Sequence, residues 1–262
     1  TILNTRAGMS CSHVSKLRMV MQELFRQARR SRLIIYDPAE GLLLPESVKR
    51  SHRPITKAER RHILAVAQTH PAGLWVLTIL YTGLRPGETA ALFWEDIDFD
   101  RNEIHVYKAV ESGTRTIKAP KTPAGIRDIP MRQELRERLL AVRGEGAAPV
   151  FPSANGGIRS ANSLRRLWNS FAHALDLHMG AKVRDGQILQ HAIAPDLTPY
   201  CLRHTFCTDL QRAGVPINVA KELMGHANIS VTANIYTHRD QKVLHNNMAK
   251  LNPKGRRAVG KT

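Results

Sequence analysis

The pattern of apolar and polar positions divides the chain into a helical beginning, a mixed middle and a helical end. From Ser12 to about Ser31, Val14, Leu17, Val20 with Met21, Leu24 and Ala28 recur at three- and four-residue steps, the spacing of one helix face. Lys16, Arg18, Arg26, Arg29, Arg30 and Arg32 ride on the other faces. Tyr36-Asp37-Pro38 stops this helix, because the residue before a proline is pushed out of the helical region. The Pro-bounded, basic stretch from Leu44-Pro45 to His52-Arg53-Pro54 reads as a linker, and a domain boundary is expected near residue 53. Thr56-Lys57-Ala58-Glu59 is a capping box that opens the next helix. The apolar run from Gly73 to Tyr81 predicts a buried helix, and Pro86, suited to a first helical turn, predicts another over PGETAALFW.

Between Glu103 and Pro130 the period changes. EIHVYKAV and TRTIKAP are β-branched and partly alternating, and IRDIP follows a turn at Thr122-Pro123-Ala124-Gly125, so strands are expected here. Helices resume over Arg132–Val142 and over Ser160–Leu175, where Leu164, Trp168, Phe171 and Leu175 fall on one face. From Thr198 onward the pattern is of short helices split by Gly214, Gly225 and the Asn228 region. The final PKGRRAVGKT reads as a flexible basic tail. The expected fold class is mainly α with a small antiparallel β-sheet in the middle of the larger domain, an α+β arrangement.

Charge changes the picture most. Lys and Arg number 39 against 22 acids, a net charge of +17, in a chain of 262 residues whose 42% hydrophobic content is ordinary for a folded protein. That imbalance exceeds what solubility requires and points to a polyanionic partner, DNA or RNA. The 5% aromatic content offers little material for stacking single-stranded RNA bases. Cys11, Cys201 and Cys207 form neither a disulfide framework nor a C-x-x-C pair, and the 12 histidines include no H-E-x-x-H. No membrane-length apolar run or signal peptide is visible, so no membrane partner is expected. The chain opens Thr1-Ile2 without Met, which is expected of a piece of something longer.

Three local patterns offer chemistry. In Thr82-Gly83-Leu84-Arg85-Pro86-Gly87-Glu88, Arg85 precedes a Pro-started helix and so sits at a helix N-terminus, where backbone N–H groups already favour an anion. An added guanidinium fork makes a phosphate clamp there, and Glu88 in the first turn is placed to orient it. Leu202-Arg203-His204-Thr205-Phe206 lies in a helix begun by Thr198-Pro199. Leu223-Met224-Gly225-His226 puts His226 on the turn after a helix end, and Ile235-Tyr236-Thr237-His238 follows on another short helix.

Together, TGLRPGE, the T-P-x-x-L-R-H-T-F run and the G-H…I-Y-T-H run resemble the tyrosine recombinase, or phage integrase, family, from about Arg53 to Leu251. The look is closest to integrases of conjugative transposons. The resemblance implies a catalytic domain over residues 54–252, preceded by the C-terminal part of a helical, DNA-clamping core-binding domain over 1–45 and a linker over 46–53, with a basic tail over 253–262. It implies that Arg85 and Arg203 grip the scissile phosphate and that Lys121, preferred over its neighbour Lys118, occupies the lysine position on a β-hairpin. His226 takes the second histidine position and Tyr236 that of the nucleophile. His204 belongs to the motif without a catalytic role.

One position departs from the family's pattern: Tyr200 stands where a histidine is usual, three residues before Arg203. A phenol donates a hydrogen bond but titrates near pH ~10 and is a poor base. The implied reaction yields a 3′-phosphotyrosine and a free 5′ hydroxyl, and needs no cofactor or metal. The implied partners are duplex DNA with inverted-repeat core sites, further copies forming a tetramer on two duplexes, and an accessory DNA-bending or excision factor. The implied setting is cytoplasmic, at the bacterial nucleoid. Val243, Leu244, Met248 and Leu251, at helical spacing after Asp240, are candidates for docking onto a neighbour. Alternatives on the same residues are type IB topoisomerase-like DNA relaxation and a non-catalytic DNA-binding protein of the same fold.

Overall fold

A computed structural model describes residues 9–44, 52–111 and 115–236, the last three by their backbone alone. Residues 46–51 of the expected linker over 46–53, the basic tail and the docking helix after Asp240 lie outside the described residues. The chain separates into two compact units, Thr1–Ser51 and His52–Thr262.

In the first unit, helix α1 (Cys11–Arg30) begins at Ser10, whose hydroxyl accepts from the His13 amide at 3.3 Å. Arg29 and Arg30 complement its negative end. Val14 and Ala39 are buried, and Arg18 donates to the Leu42 carbonyl at 3.5 Å.

The second unit opens with α2 (Lys57–Val66). Its capping box forms as the sequence predicts: Thr56 accepts from the Glu59 amide at 3.1 Å, and Glu59 accepts from the Thr56 amide at 2.7 Å. Helix α3 (Gly73–Thr82) is apolar on every side and buried along almost its whole length, as a central core helix must be. Trp75 ties it to α4 (Pro86–Ala90) by donating to Thr89 Oγ1 at 2.7 Å. Helices α5 (Gln133–Ala141) and α6 (Ala161–His178) bury the positions that their spacing predicts, Leu135 and Leu139 on the first and Leu164, Trp168, Phe171 and Leu175 on the second. Three helices follow: α7 (Pro199–Arg212), which packs on α3, then α8 (Ile217–Met224) and α9 (Ile229–Tyr236).

The β structure departs from expectation in number and continuity. Among the described residues there are three small antiparallel sheets, not one. β1 (Ile97–Asp98), β2 (Glu103–Val106) and β5 (Arg127–Pro130) form the first, with Ile104 opposite Ile129 and both facing the core. β3 (Ala109–Val110) pairs with β4 (Ile117–Lys118). The expected strand EIHVYKAV breaks at Tyr107–Lys108 because buried Asp96 takes both side chains. Tyr107 donates to it at 2.8 Å, and Lys108 pairs with it at 2.9 Å while lying 4.4 Å over the Phe93 ring.

Helix α4 stops at Ala90 rather than running on through Trp94, for a related reason. The Leu92 carbonyl and Trp94 amide bond the strand-like segment at Val150 and Ala148, and Phe93 donates to Asp96 at 2.8 Å to start a 3₁₀ turn. The third sheet, β6 (Lys182–Arg184) with β7 (Gln187–Gln190), was not expected at all. Its turn is Asp185-Gly186 with both residues at positive φ, so the Asp-Gly hairpin signal was present in the sequence.

Candidate active site

Arg85 caps α4 from an extended backbone conformation, as its place before Pro86 dictates. Glu88, one turn on, reaches back to it twice, accepting from the Arg85 amide at 2.8 Å and from Nη1 at 2.7 Å. The third Arg85 hydrogen bond runs from Nη2 to the Gly225 carbonyl at 2.9 Å, across the unit. The Arg85 side chain is 36% exposed, so the cation is anchored behind and open in front.

Glu88 is buried and meets a second guanidinium that sequence reasoning missed. Arg127, the first residue of β5, donates to Glu88 Oε2 at 2.9 Å and to Oε1 at 3.2 Å. Its side chain is 1% exposed, and it also bonds the Leu223 carbonyl at 2.8 Å and the Gly125 carbonyl at 3.2 Å. Burial would push the Glu88 carboxyl up. The bonds and charge of Arg127, with the charges of Arg85 and Arg203, overcome that and bring it down to about 2.

Arg203, on the inner face of α7, donates to the carbonyls of Gly83 and Met224 and is 5% exposed. Burial first, then the neighbouring Arg85, lowers it to about 9, so it stays cationic at neutral pH. These bonds follow a rule. The last carbonyls of a helix have no intrahelical partner and carry its negative end. Leu223, Met224 and Gly225 finish α8, Gly83 finishes α3, and Arg127, Arg203 and Arg85 take the oxygens. Both helix-ending glycines adopt left-handed conformations, φ +66° at Gly83 and +63° at Gly225. A Cβ at Gly225 would stand 2.7 Å from Arg127 Nη1, and one at Gly83 would stand 2.4 Å from the Phe206 ring.

His226 follows Gly225 directly and is buried, with Nδ1 2.9 Å from Thr232 Oγ1 on α9. Desolvation first, then Arg203, Arg85 and Arg127, depress it to about 4, so the imidazole is neutral at physiological pH. α9, the helix that positions His226 through Thr232, ends at Tyr236, whose side chain lies outside the described residues.

A cavity of about 1000 Å³ opens over this assembly, lined among others by Arg85, Glu88, Lys118, Lys121, Tyr200 and Gly225. The structure therefore brings Arg85, Arg203 and His226 into one interlocked group and puts Lys121 and Tyr200 on the wall above it. Lys121 lies in the bend between β4 and β5, exposed, while Lys118 pairs with Glu111 at 2.7 Å. Tyr200, on the first turn of α7, is 44% exposed. Among the described residues no group of three or more His, Cys, Asp or Glu side chains is arranged to hold a metal ion. What the group offers is fixed positive charge and one neutral imidazole beneath a cavity onto which Arg85, Lys121 and Tyr200 open, which suits binding and displacement at a phosphoryl group.

Comparison with known proteins gives this geometry a context. The profile described as the phage integrase family matches residues 53–242. A tyrosine recombinase XerC-like protein of Caldanaerobacter subterraneus subsp. tengcongensis is 28% identical over 262 residues, covering 94% of this chain and 67% of that protein. The transposase from transposon Tn916 of Enterococcus faecalis is 30% identical over 166 residues, 62% of this chain and 41% of the relative, so the match spans less than half of that protein. Among solved structures, the Tn1549 transposon integrase in complex with circular intermediate DNA superposes with a TM-score of 0.73 at 25% identity, covering 93% of this chain and 81% of that one.

Proposed function

We propose that this chain, which belongs to the phage integrase, or tyrosine recombinase, family, cleaves and rejoins duplex DNA at specific sites through a 3′-phosphotyrosine on Tyr236. The observation that carries the reading is the convergence of Arg85 and Arg203 on the carbonyls that end α8, with the buried imidazole of His226 next in the chain, beneath a basic cavity. Relatives that match the chain include transposon enzymes, one solved on circular intermediate DNA. Excision and integration of a mobile element is accordingly the role we assign.

In this reaction the Tyr236 oxygen attacks the scissile phosphorus, a P–O bond to Tyr236 forms, and the P–O5′ bond breaks. Arg85 and Arg203 offset the charge that grows on the non-bridging oxygens. Lys121 protonates the departing 5′ oxygen. His226, neutral before DNA arrives, takes the phenol proton. The phosphate's negative charge counters the three guanidiniums that depress this imidazole and so raises its basicity when the complex forms. Tyr200, in the usual histidine position, donates a hydrogen bond to the phosphate. Attack by a 5′ hydroxyl from a second duplex reverses the steps and exchanges strands. The partners of this cycle are inverted-repeat core sites on two duplexes, a tetramer of this chain, and an accessory DNA-bending factor, at the bacterial nucleoid.

The test is a covalent-trapping assay on a nicked suicide duplex carrying the element's ends. The wild type should form a protein–DNA adduct through phosphotyrosine, and Tyr236→Phe should form none. An adduct that persists in Tyr236→Phe overturns the assignment. Two marked duplexes then distinguish strand exchange from simple relaxation.

A further inference from the structure

Tyr200 replaces an expected histidine, and an imidazole from elsewhere lies against it. His52, the first residue of the second unit, stacks on the Tyr200 ring with centroids 5.1 Å apart and planes 14° from parallel. The contact is held from both ends. His52 Nδ1 lies 3.5 Å from Thr198 Oγ1, the residue that caps α7. Next in the chain, Arg53 bonds Asp196 at 2.9 Å and Glu59 at 2.7 Å. Two residues further, the Ile55 amide donates to Thr205 Oγ1 on α7 at 2.9 Å. The segment from His52 to Ile55 is thus fastened at its two ends to the cap and the middle of α7, and the His52 ring lies where it can hold the Tyr200 phenol.

We propose that His52 is a positioning residue for Tyr200. The stack restricts a half-exposed phenol to one orientation, so that its hydroxyl is presented to the scissile phosphate without a search through rotamers. A histidine at position 200 would be shorter; the longer phenol carries its hydroxyl further from the backbone, and His52 is the wall that steadies it. The inference rests on the strand-cleavage reading above. It makes His52 act only through Tyr200, which sets it apart from a residue that merely fastens the start of the unit.

The test is a double-mutant cycle read in the same trapping assay, with DNA affinity and melting temperature measured alongside. His52→Ala should slow adduct formation by about threefold to tenfold, the range open to a stacked ring pair, at unchanged DNA affinity. His52→Phe, which keeps a flat ring, should restore most of the rate. In a Tyr200→Phe background, His52→Ala should cost nothing more. Additive losses in the two backgrounds, or a His52→Phe variant as slow as His52→Ala, overturn the inference while leaving strand cleavage intact. A wild type that forms no adduct overturns both.

Discussion

Arg127 and Lys121 are near neighbours in the chain and opposites in the fold. Arg127 is buried beneath the cavity, with its guanidinium shared among Glu88 and the carbonyls of Gly125 and Leu223. Lys121 stands exposed on the cavity wall. The difference separates two tasks. A buried charge deprived of its partner is costly, so the lower group either forms whole or breaks at large cost, and it offers a fixed field. A proton donor has to follow a departing oxygen, which suits a long side chain in solvent. Tyr200, stacked on one face and open on the other, stands between the two cases.

The largest effect that would sharpen this contrast is on stability. Arg127→Met leaves the buried Glu88 carboxylate with the half-open Arg85 as its one guanidinium partner and should cost about 3–5 kcal/mol in denaturant unfolding. Adding Glu88→Leu should recover part of it. A loss under about 1 kcal/mol for the single change would mean that the lower group is not interlocked. Next, Lys121→Ala should slow covalent attack by about 100-fold or more, the scale of a general acid, and leave the melting temperature where it was. If it unfolds the protein instead, the distinction between wall and floor is lost.

Acid should then act on the lower group. An unfolded histidine takes its proton near 6.5 and His226 only near 4, so between these values the unfolded chain holds more protons and stability falls with pH. Glu88 extends the loss from about 4.5 down to about 2. His226→Gln and Glu88→Gln should each flatten their own window in a pH series of unfolding curves, while Lys121→Ala should change neither. The smallest effect is expected from Lys118→Ala. Its ion pair with Glu111 is largely exposed, so stability should shift by less than about 1 kcal/mol, with adduct formation unaltered. A rate loss matching that of Lys121→Ala would move the hairpin role to Lys118.

Residues whose task is local were legible in the sequence. The Thr56 cap, the apolar faces of α3 and α6, and Arg85 before its proline all announce themselves within one or two turns. Arg127 did not, because no side chain beside it in IRDIP calls for a guanidinium; besides the Gly125 carbonyl, its partners come from α4 and the end of α8. The break after Val106 was hidden for the same reason, since Asp96 acts from outside the strand. His52 read as part of a basic linker, and only the packing of residues 52–55 along α7 gives it a neighbour. The β6–β7 hairpin is a different case, signalled locally by Asp185-Gly186.

The carbonyls that hold the guanidiniums bear no side-chain identity. Met224 spends its side chain packing near Cys207 and Phe206, while its oxygen holds Arg203. A substitution scan would score Met224 for its bulk and never register its oxygen. The same scan would find Gly83 and Gly225 intolerant and attribute it to crowding. Half of the contract between this site and its cations is thus written in the path of the chain, in a script that point mutation has no letters to edit.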